Sequence, residues 1–243
     1  MQSEKIIEIK DLEKSYGYGR NKIEVLRGIN LDIQRGDVVS ITGPSGTGKS
    51  TLLNMMGCLD NFDSGRLILS GRDVSHFTVD ELSQFRNVHV GFIFQLHNLL
   101  PEFTALENVM IPLLIRRVAS KDARAMSHEI LKKFNMEDRA EHKPGEMSGG
   151  ECQRIAVARA IVGEPDLILA DEPTGSLDSK NSMTLLEILL GLCKDKGSTI
   201  VIVTHDSRIA DMTHTKIQML DGIIVGADIA PIVGAGLAPA QKE

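Results

Sequence analysis

The sequence predicts an α/β fold in which helices cover both faces of a parallel β-sheet. Residues 167–170 and 199–203 are short and continuously apolar, which is typical of strands buried on both faces. Between them, residues 183–193 carry apolar side chains at helical spacing. A further apolar strand, residues 38–42, leads through a glycine-rich loop into a predicted helix at residues 49–56. Strands that alternate with helices in this way indicate parallel strands joined by helical crossovers.

The rest of the chain is arranged around this core. Residues 5–35 alternate like strands around a turn at residues 16–19, and residues 66–69 predict another short strand. From residue 101 to residue 163 the pattern becomes helical. This block interrupts the alternation of strands and helices, and we interpret it as a helical subdomain inserted into the core.

The composition restricts the class of protein. With 243 residues, 42% of them hydrophobic, the chain can form one large domain or two small ones. The net charge of −6 argues against nucleic acid as a partner, because phosphate binding needs a basic surface. The three cysteines form no C-x-x-C pair, so neither a zinc site nor a disulfide framework is predicted. No segment is predicted to span a membrane, and no signal peptide is predicted at the N-terminus.

The glycine-rich loop carries the most specific signal in the chain. It reads Gly43, Pro44, Ser45, Gly46, Thr47, Gly48, Lys49 and Ser50, and it fits the phosphate-binding pattern G-x-x-x-x-G-K-[ST]. The strand before it and the helix after it are the context that this motif requires, because the helix N-terminus adds free N–H groups. Lys49 is predicted to reach the β- and γ-phosphates and Ser50 to hold Mg²⁺. The alternative is a glycine-rich turn that matches by chance.

Two carboxylates follow the apolar strand at residues 167–170. Asp171 and Glu172 are predicted at the carboxyl edge of the sheet, where α/β folds bind ligands. Successive strand residues point to opposite sides, so Asp171 is expected to face the metal beside Ser50 and Glu172 an attacking water. The alternative is an acidic N-cap for the next helix.

A second anion site is predicted around residue 148. Residues 147–154 read Met-Ser-Gly-Gly-Glu-Cys-Gln-Arg and precede an apolar helical stripe, which places Ser148 at a helix N-cap. Gly149 and Gly150 leave the backbone N–H groups of the helix tip open to an anion. The alternative is a capped helix with no ligand.

These motifs together resemble the ATPase subunits of ABC transporters. The segment Met147–Glu151 is similar to the family's signature, residues 43–50 to its Walker A motif and residues 167–172 to its Walker B motif. Gln95 matches the family's Q-loop and Asp178 its D-loop. His205 matches the switch histidine, and Tyr16 the aromatic residue that stacks on adenine. The matches run in the family's order from about residue 5 to 226.

The resemblance implies a P-loop NTPase (RecA-like) core with an N-terminal antiparallel β subdomain and an inserted helical subdomain. Residues 1–226 are expected to form a single ABC ATPase domain, with its core in residues 1–96 and 164–226 and its helical subdomain in residues 97–163. Residues 227–243 are expected to form a flexible tail, because they are rich in Gly, Ala and Pro.

The resemblance also implies an ATP and Mg²⁺ site that two copies of the chain share, head to tail. The catalytic residues it implies are Glu172 as general base, His205 as the γ-phosphate contact, Lys49 and Gln95, and the metal ligands are Ser50, Gln95 and Asp171. The remaining nucleotide contacts are implied for Tyr16, residues 43–50, Thr51, Ser148, Gly149, Gly150, Glu151 and Asp178.

The function implied is that of an ATP-hydrolysing subunit that drives an integral membrane permease from the cytoplasmic face of the inner membrane. Glu151, where the signature usually has Gln, and residues 92–115 look most like the lipoprotein-release (Lol-type) and macrolide-export subgroup. Macrolide or peptide efflux and a cell-division role are the alternatives within this class. A soluble ABC-type ATPase of DNA repair or translation is a second class, and a P-loop kinase or GTPase a third. The third class does not explain the motif at residues 147–154.

Cys152 allows two interpretations. A thiol near a helix N-terminus can have a lowered pKa and react, so alkylation there is expected to block dimer closure. The alternative is an inert, buried thiol.

Overall fold

The fold is given by a computed structural model, which describes residues 4–175 and 179–229. Strands in this part of the chain form a four-stranded and a six-stranded sheet. In chain order the strands are β1 (Lys5–Tyr16), β2 (Ile23–Gln34), β3 (Val38–Thr42), β4 (Ser64–Leu69), β5 (Arg72–Asp73), β6 (Val90–Ile93), β7 (Leu167–Asp171), β8 (Thr199–Val203), β9 (Thr215–Leu220) and β10 (Ile223–Ile229).

Helices lie in the connection from β3 to β4 and in each connection from β5 to β9. They are α1 (Lys49–Met56), α2 (Val79–His89), α3 (Ala105–Ile115), α4 (Ser120–Lys133), α5 (Gly149–Ile161), α6 (Ser179–Lys196) and α7 (Ser207–Ala210). Thr78, Thr104 and Ser148 begin α2, α3 and α5 with capping boxes, in which a glutamate three residues later bonds back to the cap. The start of each of these helices is therefore fixed by its local sequence. No helix among the described residues is long and apolar enough to cross a membrane.

The six-stranded sheet follows the order β10-β9-β3-β8-β7-β6. Strands β9, β3, β8, β7 and β6 are parallel to one another, and β10 pairs antiparallel with β9. Ile41 pairs with Val203, and Ala170 pairs with Ile202. The carboxyl ends of β3, β7 and β8 therefore meet at one edge of the sheet, and the predicted parallel-sheet fold class is confirmed.

Both faces of this sheet are buried. On β7, Ile168 and Ala170 pack into a core with α3, α5 and α6, whereas Leu167 and Leu169 pack on the other side with α1. The continuous apolar run of the strand follows from this burial, because each side of the strand needs its own apolar set.

The smaller sheet is antiparallel, in the order β2-β1-β4-β5, and it packs into the same core as α1. It corresponds to the N-terminal β subdomain expected above. Helices α3, α4 and α5 follow one another in the chain between β6 and β7. They pack on the opposite face of the large sheet, in the core that contains Ile168 and Ala170.

Some predicted boundaries differ from the structure. Strand β10 ends at Ile229 and so extends beyond the tail boundary predicted at residue 226, because its last residues pair with β9. Residues 230–243 of the predicted tail lie outside the described residues, as do Ser176, Leu177 and Asp178 of the D-loop match.

Candidate nucleotide-binding site

The glycine-rich loop connects β3 to α1 through an unusual backbone path. Gly43, Gly46 and Gly48 have φ angles of 145°, 80° and 94°, a region that favours glycine. Gly48 is the N-cap of α1, and no side chain caps this helix end. The first N–H groups of α1 therefore remain available to an anion at the loop.

The lysine of the motif lies over this loop. Lys49 Nζ donates hydrogen bonds to the carbonyl oxygens of Gly43 and Pro44, at 2.9 and 2.7 Å. The buried Thr47 hydroxyl donates to the same Pro44 oxygen at 3.0 Å, so Thr47 offers a ligand its backbone and not its side chain. Ser45 and Gly46 are exposed at the tip of the loop.

The structure brings Ser50 and Asp171 together. The Ser50 hydroxyl donates to the Asp171 carboxylate at the carboxyl edge of β7. Burial raises the pKa of Asp171 from its ordinary value, and the Ser50 hydrogen bond opposes that rise.

The donors at this edge fit Mg²⁺. A serine hydroxyl and a carboxylate are the hard oxygen ligands that this ion takes, and it commonly keeps waters and substrate phosphates as its other ligands. Among the described residues, no group of three or more His, Cys, Asp and Glu side chains could hold a metal ion alone. The pair therefore fits a metal that is shared with a phosphate and not a closed protein cage.

Glu172 follows Asp171 in the chain and its side chain bonds to His205. Its Oε1 accepts from the backbone N–H of His205 at 3.1 Å and lies 2.7 Å from His205 Nδ1. Strand β7 ends at Asp171, and Glu172 has a φ of 46°, so a left-handed turn separates the two carboxylates. Asp171 and Glu172 point in different directions, as predicted, but the left-handed turn and not the alternation of strand residues separates them.

Gln95 lies at the same edge. It is exposed, and its Cγ would be 3.9 Å from a Cβ built on Gly175, close to Glu172. The turn after β6 and the turn after β7 therefore lie side by side.

Tyr16 ends β1 at the surface and does not belong to the core, since 41% of it is exposed. Its hydroxyl donates to Asp60 at 2.8 Å and also bonds to the Thr51 side chain of α1. Lys14 Nζ lies 4.7 Å from the ring centroid. The structure thus places the predicted adenine-stacking ring next to the helix that follows the glycine-rich loop.

The tip of α5 is a second, separate element, which consists of Ser148, Gly149, Gly150 and Glu151. Ser148 is the N-cap, and its hydroxyl accepts from the Glu151 N–H at 3.3 Å and donates to Glu151 Oε2 at 2.9 Å. Ser148 and Gly149 are exposed, and a Cβ on Gly149 would meet nothing within 4 Å.

The α5 tip does not complete the glycine-rich loop of its own chain. Among the described residues, no hydrogen bond or ion pair joins residues 148–151 to residues 43–51. A shallow cleft of about 340 Å³ in front of the tip is lined by Asn135, Arg154 and Asn181, and not by the loop. Each element thus opens to the surface separately.

Cys152 fits the interpretation as an inert thiol. It is 2% exposed, and its thiol donates to the Pro144 carbonyl oxygen at 3.5 Å. Burial and the neighbouring Glu151 charge raise the pKa of this thiol. Burial in the helical core thus outweighs the lowering of the pKa that a helix N-terminus can produce.

Two residues of α5 that sequence reasoning missed hold the site together. Gln153, 1% exposed, donates to the Pro173 carbonyl oxygen at 2.8 Å and to that of Phe94 at 3.4 Å. Arg159 donates to the carbonyl oxygens of His97 and Asn98, at 2.9 and 2.8 Å. Helix α5 therefore braces the turns that carry Gln95 and Glu172.

A phosphate-binding loop at the edge of a parallel sheet, with an acidic pair and a histidine beside it, defines the class of P-loop nucleotide-binding proteins. A family model described as ABC transporter matches residues 26–175. The chain belongs to the ABC transporter family.

Curated relatives extend over nearly the same length. The lipoprotein-releasing system ATP-binding protein LolD of Bacteroides fragilis is 51% identical over 220 residues, which cover 90% of this chain and 100% of that protein. The protein of the same name from Geobacter metallireducens is 49% identical over 90% of this chain and 98% of its own length.

Solved structures share the fold. A dimeric ATP-binding cassette in a post-hydrolysis state, bound to ADP and Pi, superimposes with a TM-score of 0.88 at 39% identity. A dimeric bacterial ABC transporter cassette gives the same TM-score at 40% identity. Each comparison covers 93% of this chain and 99% of the other.

The ion pair of His205 with Glu172 predicts a pH dependence. The hydrogen bond that the Glu172 carboxylate accepts from the His205 imidazole raises the pKa of His205 above its ordinary value of 6.5, and Asp206 contributes less. Because the raised pKa belongs to the folded protein, the pair contributes stability below pH 6.5 and loses it as the pH rises through the raised value. We expect Glu172→Gln to lower this pKa more than Asp206→Asn does, as measured by NMR titration of the imidazole. Equal shifts in the two variants would contradict the pairing.

Proposed function

We propose that this chain is the ATP-hydrolysing subunit of an ABC transporter and works as a head-to-tail dimer with an ATP at each of two shared sites. One observation carries the proposal, namely that among the described residues the glycine-rich loop and the α5 tip each open to the surface and no hydrogen bond or ion pair joins them. A two-fold dimer joins each loop to the partner's tip and forms two equal sites. The dimeric cassettes of the same fold support this arrangement.

Phosphate binding and charge neutralisation are assigned to the edge of the large sheet. The amides of residues 43–50 and Lys49 hold the phosphates, and Tyr16 stacks on the adenine. Ser50, Asp171 and Gln95 hold Mg²⁺, which supplies charge neutralisation of the phosphates when bound. Lys49 exchanges its bonds to Gly43 and Pro44 for phosphate oxygens.

Glu172 is assigned as the general base for the attacking water. Its Oε1 is taken by His205, whereas among the described residues Oε2 has only a long 3.5 Å contact with the Thr204 hydroxyl. Oε2 is thus placed to accept a proton from water, and His205 positions the carboxylate and reaches the γ-phosphate. Ser148, Gly149 and Gly150 contact that phosphate from the partner chain.

A groove of about 480 Å³ between the core and the helical segment is assigned to the membrane partner. It lies among the end of α1, β6 and α3, and Leu59, Phe92 and Ile115 line it. Large apolar side chains are exposed in and near this part of the chain, namely Leu59, Leu96, Leu100, Phe103, Leu114 and Ile115. An exposed apolar surface of this kind is typical of a binding site, and it suits a helical segment of a permease.

The transport role is proposed from the relatives. They are lipoprotein-releasing ATP-binding proteins, and at least two are about half identical to this chain along nearly their whole length. We assign the chain to lipoprotein release, peripheral at the cytoplasmic face of the inner membrane, with residues 1–226 as one ABC ATPase domain and residues 97–163 as its helical subdomain. Macrolide or peptide efflux and a cell-division role are the alternatives, and the permease that co-purifies with the chain decides among them.

The base assignment predicts a specific kinetic defect. Glu172→Gln keeps the shape of the side chain but removes its basicity, so hydrolysis falls by about 10²–10⁴ while ATP still drives dimerisation. Steady-state phosphate release and sedimentation with ATP measure the two effects. Glu164→Gln is the matched control, because this glutamate precedes β7 at the opposite edge of the sheet and pairs with Lys196. Normal turnover of Glu172→Gln would exclude Glu172 as the base.

The groove predicts a second, separable defect. Ile115→Glu places a charge in the apolar contact and weakens binding to vesicles that carry the cognate permease by about tenfold or more. Val79→Glu changes an apolar residue on α2 that is at least as exposed, 77% against 64% for Ile115, and lies outside the lining of the groove; we expect it to bind as the unmodified chain does. Co-sedimentation with the vesicles measures both variants, and equal binding of the two would contradict the assignment.

A further inference from the structure

The α5 tip carries a negative charge where the proposed dimer brings a phosphate. Glu151 occupies the third position of α5, within one helical turn of Ser148, Gly149 and Gly150. A carboxylate there repels a triphosphate, and it also competes with the phosphate for the helix N-terminus. The tip therefore needs a device that compensates Glu151.

The surroundings of Glu151 show where its charge is satisfied. One carboxylate oxygen, Oε2, accepts from the Ser148 N–H at 2.8 Å and from the Ser148 hydroxyl at 2.9 Å. The other oxygen, Oε1, accepts from Arg139 Nε at 2.8 Å. These bonds lower the pKa of Glu151 to about 2, with Arg139 as the largest cause, so the carboxylate stays ionised at neutral pH.

Arg139 is the charged partner in this arrangement. It ends the short 3₁₀ turn Glu137–Arg139, and its side chain is 43% exposed. The nearby Arg154 does not take this role, because its guanidinium donates to the Phe134 carbonyl and the Asn181 amide oxygen, both neutral. Within the described residues, Glu151 has its only ion pair with Arg139.

We propose that Arg139 is a positioning residue for ATP at the α5 tip, which neutralises Glu151 and holds it on the Ser148 backbone. Glu151 keeps its hydrogen bonds to Arg139 through Oε1 and to the Ser148 N–H through Oε2. The Ser148 hydroxyl can then turn away from Oε2 and donate its hydrogen bond to a phosphate oxygen. The phosphate then meets amides and a hydroxyl and not an uncompensated carboxylate. This inference rests on the proposed shared ATP site.

The experiment is a double-mutant cycle on the full-length chain, with steady-state ATP hydrolysis as the readout. Arg139→Ala leaves Glu151 uncompensated, and we expect it to raise the KM for ATP about fivefold or more at low salt. The same substitution in the Glu151→Gln background changes KM less than about twofold, because no charge is left to neutralise. Arg139→Lys keeps the charge and stays within about twofold of the unmodified chain.

Ionic strength supplies a readout that a packing role would not move. The defect of Arg139→Ala shrinks as salt rises from low concentration to about 0.5 M, since exposed charges are screened. An equal KM change whether or not Glu151→Gln is also present, or no change at all, overturns the inference. Hydrolysis that does not require Ser148 overturns the shared site itself, so the two failures are distinguishable.

Discussion

Parallel alignment of β3, β7 and β8 is the constraint on which this structure depends. Because their carboxyl ends meet at one edge, the glycine-rich loop, the acidic pair and His205 lie together although they are far apart in sequence. The same alignment leaves the α5 tip outside this group, since α5 belongs to the helical segment on one face of the sheet. In the proposed dimer, one chain supplies the loop, the acidic pair and the histidine, and its partner supplies the donors that approach the terminal phosphate from the far side.

Helix α5 links that missing half to the rest of the molecule. Its tip carries the proposed second anion site, Gln153 bonds to the turns after β6 and β7, and Arg159 bonds to the backbone at His97 and Asn98. Phe92 and Arg159 both line the groove assigned to the permease. In the proposed mechanism, these hydrogen bonds connect the tip to the turn that carries Glu172 and to the backbone beside the groove assigned to the permease, and they would couple hydrolysis to transport.

The sequence predicts the parts of this structure that depend on local pattern. Helix α1 begins and ends where its apolar spacing and the glycine-rich loop require, and the core strands are identified because burial on both faces makes them continuously apolar. Strand β6 is only four residues long and contains Gly91, so it has no such pattern. The contacts of Gln153 join residues 20 and 59 positions apart, and a single sequence carries no sign of them. The left-handed turn at Glu172 is likewise set by its neighbours and not by its residue type.

The central claim is that one ATP is held jointly by the glycine-rich loop of one copy and the α5 tip of the other. Mixing two inactive variants, Lys49→Ala and Ser148→Arg, tests it most directly, because only a mixed dimer contains one intact site. The account predicts that each variant alone is inactive and that an equal mixture recovers hydrolysis, up to about a quarter of the unmodified rate for random, independent pairing. A mixture as inactive as its components, although mixed dimers form, would contradict the shared site, as would full activity of the Ser148→Arg chain alone.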